Sequence, residues 1–329
     1  MKIAIVILNW NGKQLLEQFL PSVVTYSEGA DLYLADNAST DDSVEFVKGS
    51  FPSINIVQNN SNGGYAKGYN DALKHINADI YCLLNSDVEV TEGWLHPVTE
   101  LFTKESNTVI VQPKVLDQKQ KDHFEYAGAA GGFIDKYGYP YCRGRIFNSL
   151  EKDHGQFNDT ASIFWASGAC FFIRKAVFQE LKGFDESYFA HMEEIDLSWR
   201  ARNAGYDGKY IGASTIYHVG SATLKNTDPK KTYLNFRNSL FTLTKNSAGL
   251  LLPKIFIRLV LDGVAGIMFM LQFKPMHTFS IIRAHFSFYY HLSRLLEQRD
   301  QRSLLPNYWH RKSIVWLHFV FKKKKFDSL

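Results

Sequence analysis

The first ninety residues alternate between short apolar runs and helical stretches, and this alternation constrains the fold more than any other feature of the sequence. Apolar runs of strand length lie at 3–8, 32–35, 54–57 and 80–84. The segments between them carry helical patterns at 13–24, 42–48 and 65–75. Parallel strands need a long crossover, usually a helix. The order therefore predicts an α/β fold with a doubly wound, mostly parallel sheet.

A polar cluster follows each of the four apolar runs. The clusters lie at 9–11, 36–37, 59–62 and 85–87, and they are dominated by Asn and Asp. In open α/β sheets, ligands bind beyond the carboxyl ends of the strands. We therefore expect the four clusters to meet at one edge of the sheet and to form the binding site.

The sequence changes character twice after the first hundred residues. From 109 to 173 it is rich in glycine and aromatic residues, which is typical of antiparallel ribbons and mobile loops. Helices are expected at about 193–203 and 233–244. From 250 onward, long amphipathic helices are predicted, with breaks at Pro253, Pro275 and Pro306. The sequence thus predicts an α/β domain at 1–245, which carries the binding site, and a C-terminal amphipathic helical appendage at 246–329.

Positive charge is concentrated in this appendage. Residues 246–329 contain 13 Lys and Arg against 4 Asp and Glu, whereas the whole chain has a net charge of only +4. We expect an anionic partner surface. Nucleic acid is disfavoured, because the aromatic residues of the appendage lie in apolar helical stripes and form no recognisable stacking platform.

The apolar stretch 255–273 favours helices that lie in a membrane interface. It is nearly long enough to span a bilayer but contains Arg258 and Asp262. A charge near the bilayer centre costs about 2.5–3.5 kcal/mol on insertion scales. The alternative is that these helices pack on the body or form a homodimer interface.

The cysteines and the N-terminus indicate a cytoplasmic protein at the inner face of the cell membrane. Cys82, Cys142 and Cys170 are far apart and show neither CxxC nor Cys/His spacing. The sequence therefore supports neither a disulfide framework nor a zinc site. The run at 3–8 is too short for a signal-peptide core or a membrane span. We therefore expect peripheral association from the cytoplasmic side.

Asp87 and His218 are candidate metal ligands. Asp87 comes directly after a wholly apolar strand. A divalent cation such as Mg²⁺ needs only one or two protein carboxylates, because substrate phosphates fill its other positions. His218 follows a short apolar strand, a place from which an imidazole can ligate a metal or contact a diphosphate. The alternatives are that Asp87 only caps the next turn and that His218 is structural.

Three acidic residues open the helix predicted at 193–203. Glu193 and Asp196 are three residues apart and share a face, whereas Glu194 projects differently. A carboxylate that projects alone can act as a general base. The aromatic segment at 184–191 would supply desolvating walls. The alternative is that the three acids only complement the helix dipole.

A glycine-rich turn leads into the helix predicted at 65–75. The segment 62–70 reads Asn-Gly-Gly-Tyr-Ala-Lys-Gly-Tyr-Asn. Such a turn lets the backbone approach a ligand and points amide donors at it. The segment matches neither GxGxxG nor a Walker motif, and an ordinary helix start is the alternative.

In this order, these motifs resemble glycosyltransferase family 2, whose members have the GT-A fold, and within it the rhamnosyltransferase-like branch. The resemblance covers about residues 3–245. It rests on the segments 6–12, 36–41, 62–70, 84–87, 167–170, 183–186 and 193–197, and on His218 with Ser221. It implies an inverting, metal-dependent hexosyltransferase of surface polysaccharide biosynthesis.

The resemblance also implies roles for individual residues. A UDP- or dTDP-linked sugar would contact Asn9, Asn11, Asp36, Asn37, Asn62, Gly64, Asn70, Asn85 and Ser86. Asp87 and His218 would hold Mg²⁺ or Mn²⁺. A glycan or lipid-linked acceptor would lie beside Trp165, Gly168 and Ala169. Glu194 would be the catalytic base, with Glu193 as the alternative.

Two departures from the family pattern bear on these roles. Asn85 stands where many relatives have a first aspartate, and Glu194 stands where they have the aspartate of a Glu-Asp pair. These departures leave open an inactive nucleotide-binding scaffold of a polysaccharide assembly complex. A nucleotidyltransferase fits poorly, because the segment 9–13 lacks a basic, glycine-rich triphosphate loop.

Overall fold

The computed structural model describes residues 1–220, 228–300 and 303–329. The strands of these residues are β1 (Ile3–Asn9), β2 (Ala30–Asp36), β3 (Asn55–Gln58), β4 (Ile80–Asn85), β5 (Val88–Val90), β6 (Thr108–Asp117), β7 (Gly132–Ile134), β8 (Pro140–Cys142), β9 (Arg145–Ile146), β10 (Ser149–Leu150), β11 (Thr160–Ile163), β12 (Cys170–Arg174) and β13 (Asp207–His218). The α-helices are α1 (Lys13–Tyr26), α2 (Ser43–Ser50), α3 (Gly64–Leu73), α4 (Leu95–Lys104), α5 (Lys175–Glu180), α6 (Glu193–Asn203), α7 (Pro229–Asn246), α8 (Leu251–Leu271), α9 (Pro275–Glu297) and α10 (Ile314–Phe319). Short 3-10 turns lie at Glu186–Tyr188 and Phe326–Ser328.

The central sheet has the order β11-β13-β6-β12-β4-β1-β2-β3, and β5 pairs with β13. Strands β3, β2, β1 and β4 are mutually parallel, and β6 and β13 are parallel to each other. Strands β12, β11 and β5 run antiparallel to their neighbours. The predicted α/β class with a mostly parallel sheet is confirmed.

Helices cover both faces of this sheet, as expected for a doubly wound fold. Alternate residues of β1 face opposite sides: Ala4 and Val6 belong to one apolar core, and Ile5 and Ile7 belong to the other. One core includes side chains of α3, α5, α6 and α7, and the other includes side chains of α1, α2 and α4. Burial on both faces explains why the first and fourth strands read as continuous apolar runs.

The strand register brings the predicted polar clusters to one edge. Asn9 pairs with Asp36 across β1 and β2, and Asn85 pairs with Leu8 across β4 and β1. Further along the strand order, His218 at the end of β13 pairs with Val88 of β5, the residue directly after Asp87. Clusters that are far apart in sequence therefore become neighbours at the carboxyl edge.

The region 109–173 divides between two sheets. Strands β7 to β10 form a separate four-stranded antiparallel sheet, in agreement with the expected ribbons. Strands β6 and β12 instead enter the central sheet. The apolar sequence of β12, Cys-Phe-Phe-Ile-Arg, is buried between β4 and β6 and explains this placement.

Helix α7 ends at Asn246, and α8 and α9 follow it. Helix α9 lies between α7 and α8: Thr232 Oγ1 is 2.7 Å from His277 Nδ1, and Thr278 Oγ1 donates to Gly266 O at 2.8 Å. Pro275 begins α9 as predicted. The predicted break at Pro253 is wrong, because this proline lies in the first turn of α8, where no intrahelical N–H bond is lost. Among the described residues, no helix is both long and apolar enough to cross a membrane.

Candidate active site

The end of β1 is held in a network of short polar contacts. Asn9 Nδ2 donates to Asp36 Oδ1 at 3.2 Å and to Ser39 Oγ at 3.1 Å. Asn11 N donates to the same Ser39 Oγ, and Asn11 Oδ1 accepts from Thr40 N at 2.7 Å. Asn9 Oδ1 is buried and has no hydrogen-bond partner among the described residues. These contacts hold the ends of β1 and β2 in one fixed arrangement.

The second polar strand end is tied to the glycine-rich turn. Asn37 Nδ2 donates to Asn62 Oδ1 at 2.9 Å and to Gly64 O at 3.1 Å. Gly64 has a φ of +79°, and a Cβ there would collide with the carbonyl oxygen of Phe189. Glycine is therefore required where the turn touches the segment that leads to α6. Tyr65 N completes the contact by donating to Phe189 O at 2.8 Å.

Asn70 has a different place from the other predicted donor residues. Its Nδ2 donates to Phe184 O and its Oδ1 accepts from Phe184 N, both at 2.9 Å. Its amide also lies 3.2 Å from Glu186 Oε1. Both ends of this side chain are thus engaged in holding the 184–188 segment, and a direct contact with the donor stays a prediction.

Asp87, His218 and Glu125 form a buried charged cluster at the end of β13. His218 Nε2 lies 3.2 Å from Asp87 Oδ1, and His218 Nδ1 lies 3.3 Å from Glu125 Oε2. Gly220 has a φ of +69°, and a Cβ there would approach Glu125 Oε1 to 2.7 Å. The backbone after His218 therefore needs glycine to leave room for the Glu125 carboxylate.

Asp87 and His218 shift each other's pKa toward the charged forms. Burial alone would raise the pKa of Asp87, but the charge and hydrogen bond of His218 outweigh burial and lower that pKa below its ordinary value. Burial would lower the pKa of His218, yet the two flanking carboxylates raise it well above its usual range. The neighbouring Glu89 pairs instead with Lys121 at 2.6 Å.

Ser86 and Asn85 connect the donor edge to the predicted acceptor side. A Cβ at Gly12 would lie 3.6 Å from Ser86 Oγ, so Ser86 is next to the network around Asn9. Asn85 N donates to Ala169 O at 3.0 Å. The two predicted subsites are therefore contiguous across the ends of β4 and β12.

The start of α6 places Glu194 beside Gly168. A Cβ at Gly168 would lie 3.8 Å from Glu194 Cδ and 3.4 Å from Tyr65 Oη. Tyr65 Oη donates to Gly168 O at 2.8 Å. Glu193 is 4% exposed, and its Oε2 has no partner in the described part of the chain. Glu194 is half-buried and therefore the more accessible of the two carboxylates.

The backbone before these glutamates is strained. Phe189, His191 and Met192 all have φ between +64° and +74°, a region that non-glycine residues seldom occupy. Asn238 of α7 holds this segment by donating its Nδ2 to the carbonyl oxygens of Ala190 at 2.9 Å and His191 at 2.7 Å. Strain that surrounding contacts maintain is a frequent feature of functional sites.

The three acids of α6 differ sharply in protonation. Burial raises the pKa of Glu194 to about 7, and burial and the neighbouring Glu194 charge raise the pKa of Glu193 well above its ordinary value. Asp196 is fully buried but pairs with Arg200 at 2.8 Å and Lys245 at 3.0 Å, which hold its pKa far below the usual range despite burial. Asp196 is therefore a structural anchor, and Glu194 is poised to exchange a proton near neutral pH.

Residues 4–182 match the sequence model described as glycosyl transferase family 2. This match covers more than half of the chain. The chain belongs to glycosyl transferase family 2. Among its relatives is an N-acetylglucosaminyl-diphospho-decaprenol L-rhamnosyltransferase of Mycobacterium tuberculosis, which is 24% identical over 222 residues, or 62% of this chain and 71% of the relative.

Solved structures share the fold of this family 2 chain. GalNAc-T7 with UDP, GalNAc and Mn²⁺ gives a TM-score of 0.59 at 17% identity, covering 74% of this chain and 48% of the other. A mannosyltransferase from Pyrobaculum calidifontis with GDP-Man and Mn²⁺ gives 0.55 at 11% identity, covering 88% and 87%. The chain thus spans about half the length of the first protein. The predicted GT-A fold is confirmed.

A divalent cation in the family 2 site would bind the Asp87 carboxylate, and His218 would have to lose the proton that its two flanking carboxylates stabilise before it ligates. Asp87 Oδ1 and His218 Nε2 are adjacent, and Glu125 faces the second imidazole nitrogen. A ligating histidine commonly donates its other N–H to a carboxylate, which orients the ring and fixes its tautomer. Among the described residues there is no group of three or more His, Cys, Asp or Glu side chains arranged to hold a metal. Substrate phosphates would have to complete the coordination.

One predicted site residue of this family 2 chain has its side chain in the protein interior. Trp165 is buried, and its indole Nε1 donates to Phe133 O at 2.8 Å, beneath Gly132. The Trp165 ring belongs to the apolar core, and its contact with the acceptor stays a prediction. Ser221, part of the His218 motif, lies outside the described residues.

Sequence reasoning missed two residues of the site. Glu125 gave no signal, because it lies between a polar loop and a glycine-rich stretch and reaches His218 only through the fold. Tyr65 was named only as part of the glycine-rich turn, yet its hydroxyl joins that turn to Gly168. In the sequence, the signal for Tyr65 is its position as an aromatic residue directly after two glycines.

Proposed function

We propose that this family 2 chain transfers a hexose from a UDP- or dTDP-linked donor to a hydroxyl of a glycan or lipid-linked acceptor, with inversion at the anomeric carbon. The observation that carries the proposal is the separation of two carboxylate centres within one site. Asp87 is ionised and paired with His218, whereas Glu194 is unpaired with a pKa raised to about 7. In a single displacement, the ionised carboxylate would hold a cation at the leaving diphosphate, and the carboxylate with the raised pKa would accept the proton of the acceptor hydroxyl.

The donor would lie along the edge formed by β1, β2 and β4. Asn9, Asn11, Asp36 and Asn37 would face the nucleoside, and the turn at 62–64 would close beside the sugar. Asp87 and His218 would hold Mg²⁺ or Mn²⁺. That cation would supply positive charge to the departing diphosphate, where negative charge builds up in the transition state. Glu125 would keep the His218 ring in position.

Glu194 would act on the acceptor hydroxyl. Its carboxylate accepts the hydroxyl proton as the acceptor oxygen forms a bond to the anomeric carbon, and the bond from that carbon to the diphosphate oxygen breaks on the opposite face. The electron pair of that bond leaves with the nucleoside diphosphate. A single displacement of this kind inverts configuration. Glu193 lies beside the base and is more deeply buried, and its raised pKa favours the protonated form.

The acceptor and the location are also part of the proposal. The mycobacterial relative is named for an acceptor that carries a sugar on a lipid diphosphate. A similar acceptor would place this chain in surface polysaccharide assembly, in the cytoplasm and at the inner face of the cell membrane. The basic composition of residues 246–329 supports that placement.

The test is a transfer assay with a panel of UDP- and dTDP-sugars, Mn²⁺ and short-chain diphosphate-linked sugar acceptors. We expect one donor to give a glycoside whose anomeric configuration, read by NMR, is opposite to that of the donor. Glu194→Gln should abolish this product, while Glu193→Gln serves as the matched control. A product with retained configuration would refute the single displacement. If no donor reacts but one nucleotide still binds, the chain is the inactive scaffold.

A further inference from the structure

Helices α8 and α9 expose apolar stripes at helical spacing. The outward residues of α8 are each at least half exposed and lie at Leu252, Phe256, Val260, Val264, Ile267 and Leu271. Exposed residues of α9 follow at Met276, Phe279, Ile282, Phe286 and Tyr290. Contiguous exposed apolar surface of this kind marks an interaction site in a folded protein.

The charged residues in the middle of α8 face the protein interior. Arg258 and Asp262 pair at 2.8 Å, and the Tyr139 hydroxyl donates to Asp262 Oδ1 at 3.0 Å. The Arg258 guanidinium lies 3.8 Å from the centre of the Tyr139 ring, and His285 Nε2 lies 3.4 Å from Asp262. The two charges that oppose membrane contact in the sequence are therefore removed from the outer face.

The turn between the two helices presents Phe273 to solvent. Phe273 is 93% exposed, has a φ of +57°, and occupies the left-handed position after the helix end. Phe273 N donates to Met270 O at 3.0 Å and Lys274 N donates to Phe269 O at 2.9 Å, which is a Schellman motif. This position normally takes glycine. A bulky aromatic residue there disfavours the turn and contacts nothing that would compensate within the described chain.

The charge of this hairpin complements an anionic surface. Between residues 251 and 296, Asp262 is the sole acidic residue, and it is buried. Lys274 at the turn and Arg283 on α9 are exposed. Four further lysines follow at 322–325. The outer face of the hairpin thus combines apolar side chains with exposed positive charge, and its one exposed acid, Glu297, lies at the end of α9 away from the turn.

We propose that the α8–α9 hairpin is a monotopic membrane-binding element that inserts Phe273 and the apolar face of α8 into the interface of an anionic bilayer. Helices of this type lie in the headgroup region without crossing the bilayer. The proposal rests on the proposed function for its purpose, because a lipid-linked acceptor must be met at a membrane. Arg294 of α9 also donates to Ser187 Oγ at 2.8 Å, so the hairpin contacts the segment that leads to Glu193 and Glu194.

The test is co-sedimentation of the full chain with vesicles, without donor or acceptor. The vesicles contain phosphatidylcholine alone or mixed with phosphatidylglycerol. We expect the wild-type chain to bind the anionic vesicles and Phe273→Asp to lower the partition coefficient about tenfold, since one aromatic side chain is kept from the apolar phase. Val260→Asp should act in the same direction. Tyr26→Asp is the matched control, because Tyr26 is an exposed aromatic residue at the end of α1.

Charge and insertion are separated by a third variant. Lys274→Gln should weaken binding to anionic vesicles about fivefold and leave binding to neutral vesicles unchanged. Phe273→Asp should unfold cooperatively near the wild-type Tm, which shows that the variant is folded and keeps this test independent of the transfer reaction.

Three results would overturn the proposal. The wild-type chain could fail to bind anionic vesicles, or Phe273→Asp could bind them as well as wild type. The third result is a concentration-dependent dimer in sedimentation velocity that Val260→Asp dissociates while vesicle binding is absent. The hairpin would then be an interface with a second copy. None of these results bears on the donor site.

Discussion

The two carboxylate regions of the cleft are built on opposite principles. At the ends of β4 and β13, Asp87 is buried against His218, and Glu125 faces the other side of that ring. At the start of α6, Glu193 and Glu194 stand next to each other, and no cation pairs with either one in the described residues. Opposite charges therefore stabilise ionised groups in the first region, while burial and like charge favour protonation in the second.

This contrast shows why neighbouring carboxylates in one cleft suit different chemistry. A carboxylate with a lowered pKa stays charged and is suited to a cation or to the donors of a diphosphate complex. A carboxylate with a pKa near 7 is ionised in a large fraction of molecules and is still basic enough to take a proton. The predictions below test this division, beginning with the largest expected effect.

Glu194→Gln should lower kcat by about 10² to 10⁴-fold, the usual contribution of a positioned general base. Because the substitution keeps the shape of the side chain and lies away from Asp87, the Kd of the nucleotide diphosphate should be unchanged. Steady-state kinetics and calorimetry measure the two quantities. A normal kcat would move the role of base to Glu193.

Asp196→Asn is the internal contrast to Glu194→Gln, because both residues lie in the first turn of α6. Removing the Asp196 charge leaves Arg200 and Lys245 without their buried partner. Breaking a buried ion pair typically costs about 3–5 kcal/mol of the free energy of unfolding. Thermal unfolding should therefore show a large fall in Tm for Asp196→Asn and little change for Glu194→Gln.

Asp87→Asn should lower metal-stimulated turnover by about 10² to 10³-fold, the range found when one electrostatic stabiliser of a transition state is removed. It should also abolish the effect of Mn²⁺ on nucleotide affinity, which Glu194→Gln preserves. Titration of nucleotide at several Mn²⁺ concentrations is the measurement. Equal Mn²⁺ dependence in Asp87→Asn and wild type would place the cation elsewhere.

Glu125→Gln should weaken Mn²⁺ binding about 10- to 100-fold in the presence of nucleotide, as expected when the partner of a ligating histidine is lost. Its kcat at saturating Mn²⁺ should approach that of wild type, because Glu125 positions a ligand and does not contact the sugar. Saturation curves for Mn²⁺ separate these two effects. A loss of kcat that saturating Mn²⁺ does not restore would contradict this role.

The pH profile should show the smallest effect and report on Glu194 alone. Glu194 must be deprotonated to accept the hydroxyl proton, so kcat/KM should fall about tenfold per pH unit below a pKa of about 7 and level off above it. Glu193, Tyr65 and Cys142 are the titratable groups that interact with it. Burial raises the pKa of all three groups. The range from pH 5 to about 8 spans the ordinary pKa of histidine and the raised pKa of Glu194. A kcat/KM profile that stays flat over this range would exclude Glu194 as the base.

Much of the first half of the fold is readable in the sequence. The four parallel strands were predicted within about two residues. The apolar runs of β1 and β4 are uninterrupted because these strands are buried on both faces, whereas β3 lies at the sheet edge and is only partly buried. The antiparallel insertion of β12 between β4 and β6 was not predicted. The order in which strands pair depends on contacts between residues distant in sequence. The local sequence from Cys170 to Arg174 does not indicate which strands lie beside it.

The site was readable to the extent that its residues follow strand ends. Asn9, Asp36 and Asp87 were found because the carboxyl edge of a parallel sheet collects them. Glu125 was missed, because it belongs to the irregular region between β6 and β12. The inward orientation of Arg258 was equally hidden, since its partner surface at Tyr139 lies more than a hundred residues away.

Calorimetric titration with UDP, dTDP and GDP, with and without Mn²⁺, tests the division of the site most directly when wild type, Asp87→Asn and Glu194→Gln are compared. The division predicts that one nucleotide binds wild type and Glu194→Gln equally well with Mn²⁺, and that Asp87→Asn loses the Mn²⁺-dependent part of that affinity. Equal, Mn²⁺-independent binding to all three proteins, or a loss of binding in Glu194→Gln, would contradict it.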